Sequence, residues 1–364
     1  MKRLASLDVL RGADMVLLTM VGPVIWGMDA VWGLPPWLSA QFAHDWGSLR
    51  LWDLVMPLFV FACGAAAPLA LPRRLGAGGR PGLAYWRHVL GRVAMLWVCG
   101  LVVQGNLLKL SLEEISPYCN TLQAIAAGYL IAAIAVPIRS RKVRFALPVA
   151  LAAVYSALLA FGGDYTPDGN FAQRVEMQVL RAVLPASSSV LANGTSGYTW
   201  FLTTLMFGVM TLAGSAATDM LLDETRTMRR RSAALASAGA ACFVLGLALS
   251  PFVPPVKHIY TVSFTALATG VSMLLYAGLF ALCDVYGVRK GTGLAELFGR
   301  CSLFAYMVNN VFYGLLDSIG AAVARGTGRI ESAHVPFYGA IVHVAVLAAL
   351  VYAWRRFRQR RSGR

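Results

Sequence analysis

Charge is what this sequence has least of: 13% of its 364 residues are Asp, Glu, Lys or Arg, against about 25% in ordinary soluble domains. With 58% hydrophobic residues and a mean hydropathy of +0.62, a soluble globule is excluded, because it would expose more apolar surface than it could keep in solution. No CxxC pair occurs among Cys63, Cys99, Cys119, Cys242, Cys283 and Cys301, and most of these lie in apolar runs. That argues against a disulfide framework or a zinc site and for buried packing thiols. The chain also lacks nucleotide-binding loops, GxSxG, HExxH and paired metal ligands, so no metal is expected. No internal repeat is visible, and no segment is long and polar enough to make a separate soluble domain.

What remains is apolar length. A spanning helix needs about 20 mostly apolar residues. Ten stretches meet that need: 13–33, 51–71, 89–108, 118–138, 144–162, 198–218, 233–252, 261–283, 296–316 and 336–354. The ninth is the weakest, being interrupted by Asn309 and Asn310. Met15 to Ile25 could be a signal-peptide core, but no small-x-small cleavage site follows, so the first stretch reads as an uncleaved span. The expected fold is therefore an all-α polytopic membrane protein, a single domain over residues 1–364.

The basic residues orient it. With the N-terminus in the cytoplasm, the inner segments carry 25 basic and seven acidic residues, a net +18. The outer segments carry seven basic residues (Arg50, Lys109, Arg174, Arg181, Lys257, Arg325 and Arg329) and ten acidic ones, a net −3. This asymmetry is the positive-inside signature, and it places both termini in the cytoplasm. The net charge of +15 is thus a topology signal, and no nucleic-acid partner is expected. The longest outer loops fall at 163–197 and 317–335, the first with an apolar stretch suited to a short interfacial helix.

Polar residues in or beside spans are expensive and mark function. In "QFAHDWGSLRLWDLVMPLFVFACG", His44, Asp45 and Trp46 follow the first span, and Asp53 stands at the mouth of the second. A histidine near neutrality can serve as base, acid or acyl acceptor, and a carboxylate can orient its ring. The structural alternative is a loop histidine beside a helix-capping aspartate. In "PFVPPVKHIYTVSF", prolines fix the entry to the eighth span, with Lys257 and His258 at its mouth. Lys257 either snorkels to headgroups or stabilises an oxyanion. Asn309, Asn310, Asn120 and Gln123 either bond across helices or bind substrate. Asp8, Arg11 and Asp14, three apart, form a stripe on one helix face and read as an ion-pair anchor. His88 and His343 have no partner at ligand spacing and read as structural.

In order along the chain, "RLASLDVLRGADM", the histidine segment, "NTLQAIAAGYLIAA", "PPVKHIYTVSFTALATG" and "LFAYMVNN" resemble the heparan-α-glucosaminide N-acetyltransferase family of transmembrane acetyltransferases. The bacterial branch linked to N-acetylglucosamine utilisation, the NagX type, is the most similar. The resemblance covers nearly the whole chain; its most specific parts are the histidine loop followed by "DLVMPLFVF" and the later Pro-Lys-x-x-x-Thr segment. It implies a ten-helix core in a bacterial inner membrane, moving acetyl from cytoplasmic acetyl-CoA to glucosamine or a related amino sugar on the extracytoplasmic side. The family's histidine maps onto His44, with Asp53 and Lys257 as catalytic partners. Asp45, Trp46, Gln123, His258, Asn309 and Asn310 become substrate-binding candidates, and Arg11 and Asn120 candidates for acetyl-CoA. The chain departs from the animal enzyme in a loop one residue shorter before Asp53, in Gly22 where that enzyme has an asparagine, and in "LQAIA" where it has "LQRI". The resemblance and oligomer base rates point to a homodimer in lipid. Two other readings remain open at this point: an O-acyltransferase of a surface glycan, and a non-enzymatic amino-sugar permease.

Overall fold

The first helix begins at Ala5, earlier than hydropathy places it, because the polar residues of its opening turns find partners inside the protein. Both Asp284 carboxylate oxygens accept backbone N–H groups of that first turn, from Ala5 at 3.1 Å and Ser6 at 3.0 Å, satisfying donors that a helix N-terminus leaves open. Asp8 lies 3.6 Å from the Arg300 guanidinium, and Arg11 donates to Ser302 Oγ at 2.8 Å. Asp8 and Arg11 of the expected stripe thus also reach residues on later helices. The Asp14 carboxylate is buried with no hydrogen-bond partner among the described residues.

The computed structural model describes residues 4–105, 107–108, 110–111, 113–194 and 197–362. Lys2, Arg3, Lys109 and Arg364, which entered the charge count, lie outside them. Among the described residues, eight helices are long and apolar enough to cross a membrane. They are α1 (Ala5–Trp32, with a π-helical turn at Leu17–Val21), α2 (Leu51–Ala70), α3 (Leu83–Val103), α5 (Arg141–Gly162), α7 (Thr204–Leu221), α8 (Met228–Leu249), α9 (Val262–Val285) and α13 (Val335–Ser362). The chain is an all-α polytopic membrane protein.

The fourth expected span is the shorter helix α4 (Thr121–Ala135). Asn120 sets its start, accepting Leu122 N–H at 2.7 Å. The ninth is divided into α10 (Gly293–Arg300), α11 (Ser302–Val311) and α12 (Tyr313–Gly326), at Cys301 and Phe312, whose dihedrals leave the helical range. The outer loop expected at 317–335 is corrected by α12. Leu316, Gly320 and Ala324 make its buried face, and a Cβ on Gly320 would sit 2.3 Å from Gly339 O of α13. Such close approach substitutes for hydrophobic force between helices in lipid. The 163–197 loop does carry the expected short helix, α6 (Phe171–Val183), capped by Asn170 accepting from Gln173 N–H at 2.7 Å.

The fold has two compact units. One comprises Trp46–Leu49 and Met56–Ala281; the other comprises Leu4–Asp45, Arg50–Val55 and the chain from Leu282 onward. In the first, α8 packs along α9, and α4 and α5 both pack on α7. Gly64 and Gly214 let α2 and α7 touch by backbone: a Cβ on either would meet a carbonyl oxygen at 1.9 or 2.1 Å. In the second, α1 packs on α10 and α12 on α13. The six cysteines are free thiols, buried or half-buried.

Candidate active site

A short piece of chain builds the site's centre. Residues 51–54 form a 3₁₀ turn that opens α2, and Asp53 is the fully buried acid of that turn. One carboxylate oxygen, Oδ2, accepts the Arg50 backbone N–H at 3.1 Å, closing the helix start. The other, Oδ1, lies 2.8 Å from His44 Nδ1. Capping and histidine orientation are therefore not alternatives; the two oxygens divide the tasks. The shortened loop still brings the pair to contact distance. A carboxylate only accepts, so Nδ1 carries the shared proton and the basic lone pair falls on Nε2. The His44 side chain is 40% exposed and that of Asp53 is 0% exposed. A base at the surface is thus aimed by an acid that water does not reach.

Neighbouring side chains hold the turn. Asp45 accepts from Arg50 Nη2 at 2.8 Å, and Gln41 Oε1 accepts Leu51 N–H at 3.2 Å. Trp52 packs edge-on to Trp26, centroids 5.0 Å apart, and against Phe42 at 5.8 Å. Its ring also fills the space beside Gly22, where a Cβ would meet it at 2.5 Å. Gly22 therefore leaves no room for a larger side chain while Trp52 is in place.

Lys257 and His258 belong to the other unit. Their turn is pinned from several sides. Thr261 Oγ1 donates to Pro254 O at 2.8 Å, Tyr155 donates to Ile259 O, and Thr199 N–H donates to His258 O at 3.1 Å. Lys257 is 4% exposed, its ammonium 6.0 Å from the Tyr198 ring centre. The His258 ring lies against two aromatic rings: Trp46, stacked at 4.9 Å, and Tyr198 at 4.1 Å. Trp46 is fixed in turn by its indole N–H, which donates to Tyr165 O at 2.9 Å.

The remaining candidates are occupied within the fold. Gln123 donates to Pro117 O at 2.9 Å and accepts Cys119 N–H at 2.9 Å. Asn120 caps α4 and donates to Gly100 O at 3.3 Å. Asn310 returns to Tyr306 O one turn earlier at 2.8 Å. Asn309 Oδ1 lies 3.2 Å from Nε2 of the buried His343, which gives that histidine a partner from another helix. Of the two acetyl-CoA candidates, Arg11 donates to Ser302 Oγ at 2.8 Å and Asn120 sits at the cap of α4.

Sequence reading missed Glu176. On α6 it shares the buried face with Ala172 and Leu180. Its Oε2 accepts the backbone N–H groups of Trp200 at 2.9 Å and Phe201 at 3.0 Å. Burial pushes its carboxyl up to about 7, opposed by those two hydrogen bonds. Glu176 thereby anchors the segment carrying Tyr198 and Trp200. An acid in step with apolar residues at i−4 and i+4 on an interfacial helix is the signal that could have found it.

Residues 3–98, which include the whole His44–Asp53 segment, match a family described as a domain of unknown function (DUF5009). A comparison with curated proteins finds no match.

Proposed function

We propose that this membrane protein is an N-acetyltransferase that moves acetyl from cytoplasmic acetyl-CoA to the amino group of glucosamine or a related amino sugar. Acceptance would take place on the extracytoplasmic side of a bacterial inner membrane. The observation that carries the reading is the His44–Asp53 pair, 2.8 Å apart with the base exposed and the acid buried. It lies where the resemblance to the heparan-α-glucosaminide N-acetyltransferases puts the active-site histidine. With the N-terminus inside, this is the outer end of α1 and the outer start of α2.

An amino sugar arrives largely as an ammonium and cannot attack a thioester until it loses a proton. His44 Nε2 takes that proton, and Asp53 stabilises the resulting imidazolium through Nδ1. The amine nitrogen then bonds to the acetyl carbonyl carbon, and the carbonyl electron pair moves to oxygen. Collapse of that intermediate expels the thiolate, which takes the proton held on His44, while the nitrogen gives up its second surplus proton to water as the amide forms. By the resemblance alone, Lys257 is the residue assigned to the oxyanion. Trp46 and His258 are the substrate-binding residues that the resemblance implies, and their rings stack on each other.

The test is thioester consumption by the purified protein in lipid vesicles. Release of free thiol from acetyl-CoA should require glucosamine and should vanish in His44→Ala while the protein stays folded. Thiol release that ignores the amino sugar, or survives in His44→Ala, would overturn the assignment.

A further inference from the structure

Helix α13 outlasts its own hydrophobic stretch. After Trp354 it continues as a regular helix through Arg355, Arg356, Phe357, Arg358, Gln359, Arg360 and Arg361. These residues extend it by roughly 10 Å at 1.5 Å per residue, comparable to the headgroup layer outside a hydrocarbon core. At 100° per residue the five arginines point around the whole helix rather than along one stripe. Arg356, Arg358, Arg360 and Arg361 are exposed.

Their side chains do not project away along the helix. Arg356 donates from Nε and Nη2 to the Tyr352 hydroxyl, at 2.9 and 2.8 Å. Arg358 lies over Trp354 at 5.9 Å, and Arg361 over Phe357 at 4.8 Å. Each partner is four residues earlier, toward the apolar part of the helix. Helical side chains lean to the N-terminus, and here that lean carries guanidinium groups back toward the bilayer surface. Tyr352 and Phe357 are themselves half exposed, as aromatic residues at a membrane interface are. A guanidinium over a ring face keeps its N–H edge available for phosphate oxygens. Positive-inside topology accounts for basic residues on this side, but it requires neither a helical extension nor this backward geometry.

We propose that Tyr352–Arg361 forms a collar that binds the phosphates of anionic phospholipid in the inner leaflet. The match is one of charge and of position: cationic forks at headgroup depth, with aromatic rings at the hydrocarbon boundary. The collar stands apart from the transferase reading and depends only on the orientation of the chain.

The experiment uses the full chain, purified from micelles holding equal amounts of phosphatidylglycerol and phosphatidylcholine, with retained lipid counted by mass spectrometry. Phosphatidylglycerol should be enriched on the wild type, and the enrichment should fall at least about fivefold in R356Q/R358Q/R360Q/R361Q, with helix content and melting temperature held. Undiminished enrichment in that variant would overturn the proposal, since the other inner basic clusters would then be the lipid sites. A second measurement needs no variant. Salt at about 1 M, with a Debye length of about 3 Å, should release phosphatidylglycerol selectively, and salt-insensitive retention would count against the collar. Displacement of the lipid by millimolar coenzyme A would reassign the collar to a soluble phosphate and also overturn it.

Discussion

Two histidines of this protein are held in opposite ways. His44 is exposed and meets a buried carboxylate through one ring nitrogen; His258 is half-buried, with Trp46 and Tyr198 against its ring. A carboxylate fixes which nitrogen holds the proton. Stacked rings fix where the imidazole lies. The residue type is the same, but the first setting suits proton transfer and the second suits a wall of a binding site. Their sequence signals were equally modest, a histidine beside a charged residue near a span end.

The largest expected effect is that of His44→Ala, which should lower amino-sugar-dependent thiol release by about 10²- to 10⁴-fold. Because the side chain is exposed, its melting temperature should match the wild type. Equal activity in the two proteins would end the distinction between the histidines.

Glu176→Gln tests how the stacked region is anchored. The Glu176 carboxyl titrates near 7 in the fold and near its ordinary value when unfolded. Between those values the folded state holds more protons, so ionisation weakens the fold as pH rises from about 4.5 to about 7. The cost is about 3 kcal/mol at neutral pH. Glutamine keeps an acceptor for Trp200 and Phe201 but cannot ionise. Thermal unfolding from pH 5 to 8 should therefore be flatter in the variant, and matching slopes would show that Glu176 ionises without penalty.

Asp53→Asn keeps an oxygen for the Arg50 N–H but offers the histidine an N–H. The imidazole must then accept at Nδ1 and carry its proton on Nε2, the wrong tautomer for a base. A rate loss on the order of 10², with stability changed by less than about 1 kcal/mol, is expected. Stability lost in proportion to rate would reduce Asp53 to a cap alone.

The smallest effect belongs to His258→Leu. It should cost about 0.5–1.5 kcal/mol of ring packing and raise KM for the sugar with kcat nearly held. A kcat loss as deep as that of His44→Ala would erase the difference between the two settings.

The spans were legible wherever a helix is apolar throughout. They were less so where polar residues are satisfied at long range. The early start of α1 depends on Asp284, far along the chain, and no window of hydropathy contains both. The 317–335 loop hid α12 because Asp317 and Arg325 dilute a helix whose buried face is Leu316, Gly320 and Ala324. At the site, His44 and Asp53 could be paired from their spacing and the family resemblance. His343 could not be paired with Asn309, since that contact joins separate helices. Glu176 is not legible in the sequence, because an acid in a loop looks solvated until its helix is seen to bury it.

Asp53 has a consequence for how the protein could be silenced. One carboxylate starts a membrane helix with one oxygen and aims the histidine with the other. Unwinding the first turn of α2 would misdirect the imidazole without disturbing the bundle behind it. Heat, detergent or a thinner bilayer that frays this turn would then extinguish turnover well before global melting. Inactivation would track the hydrogen exchange of a few amides around Asp53 rather than the helicity of the whole chain.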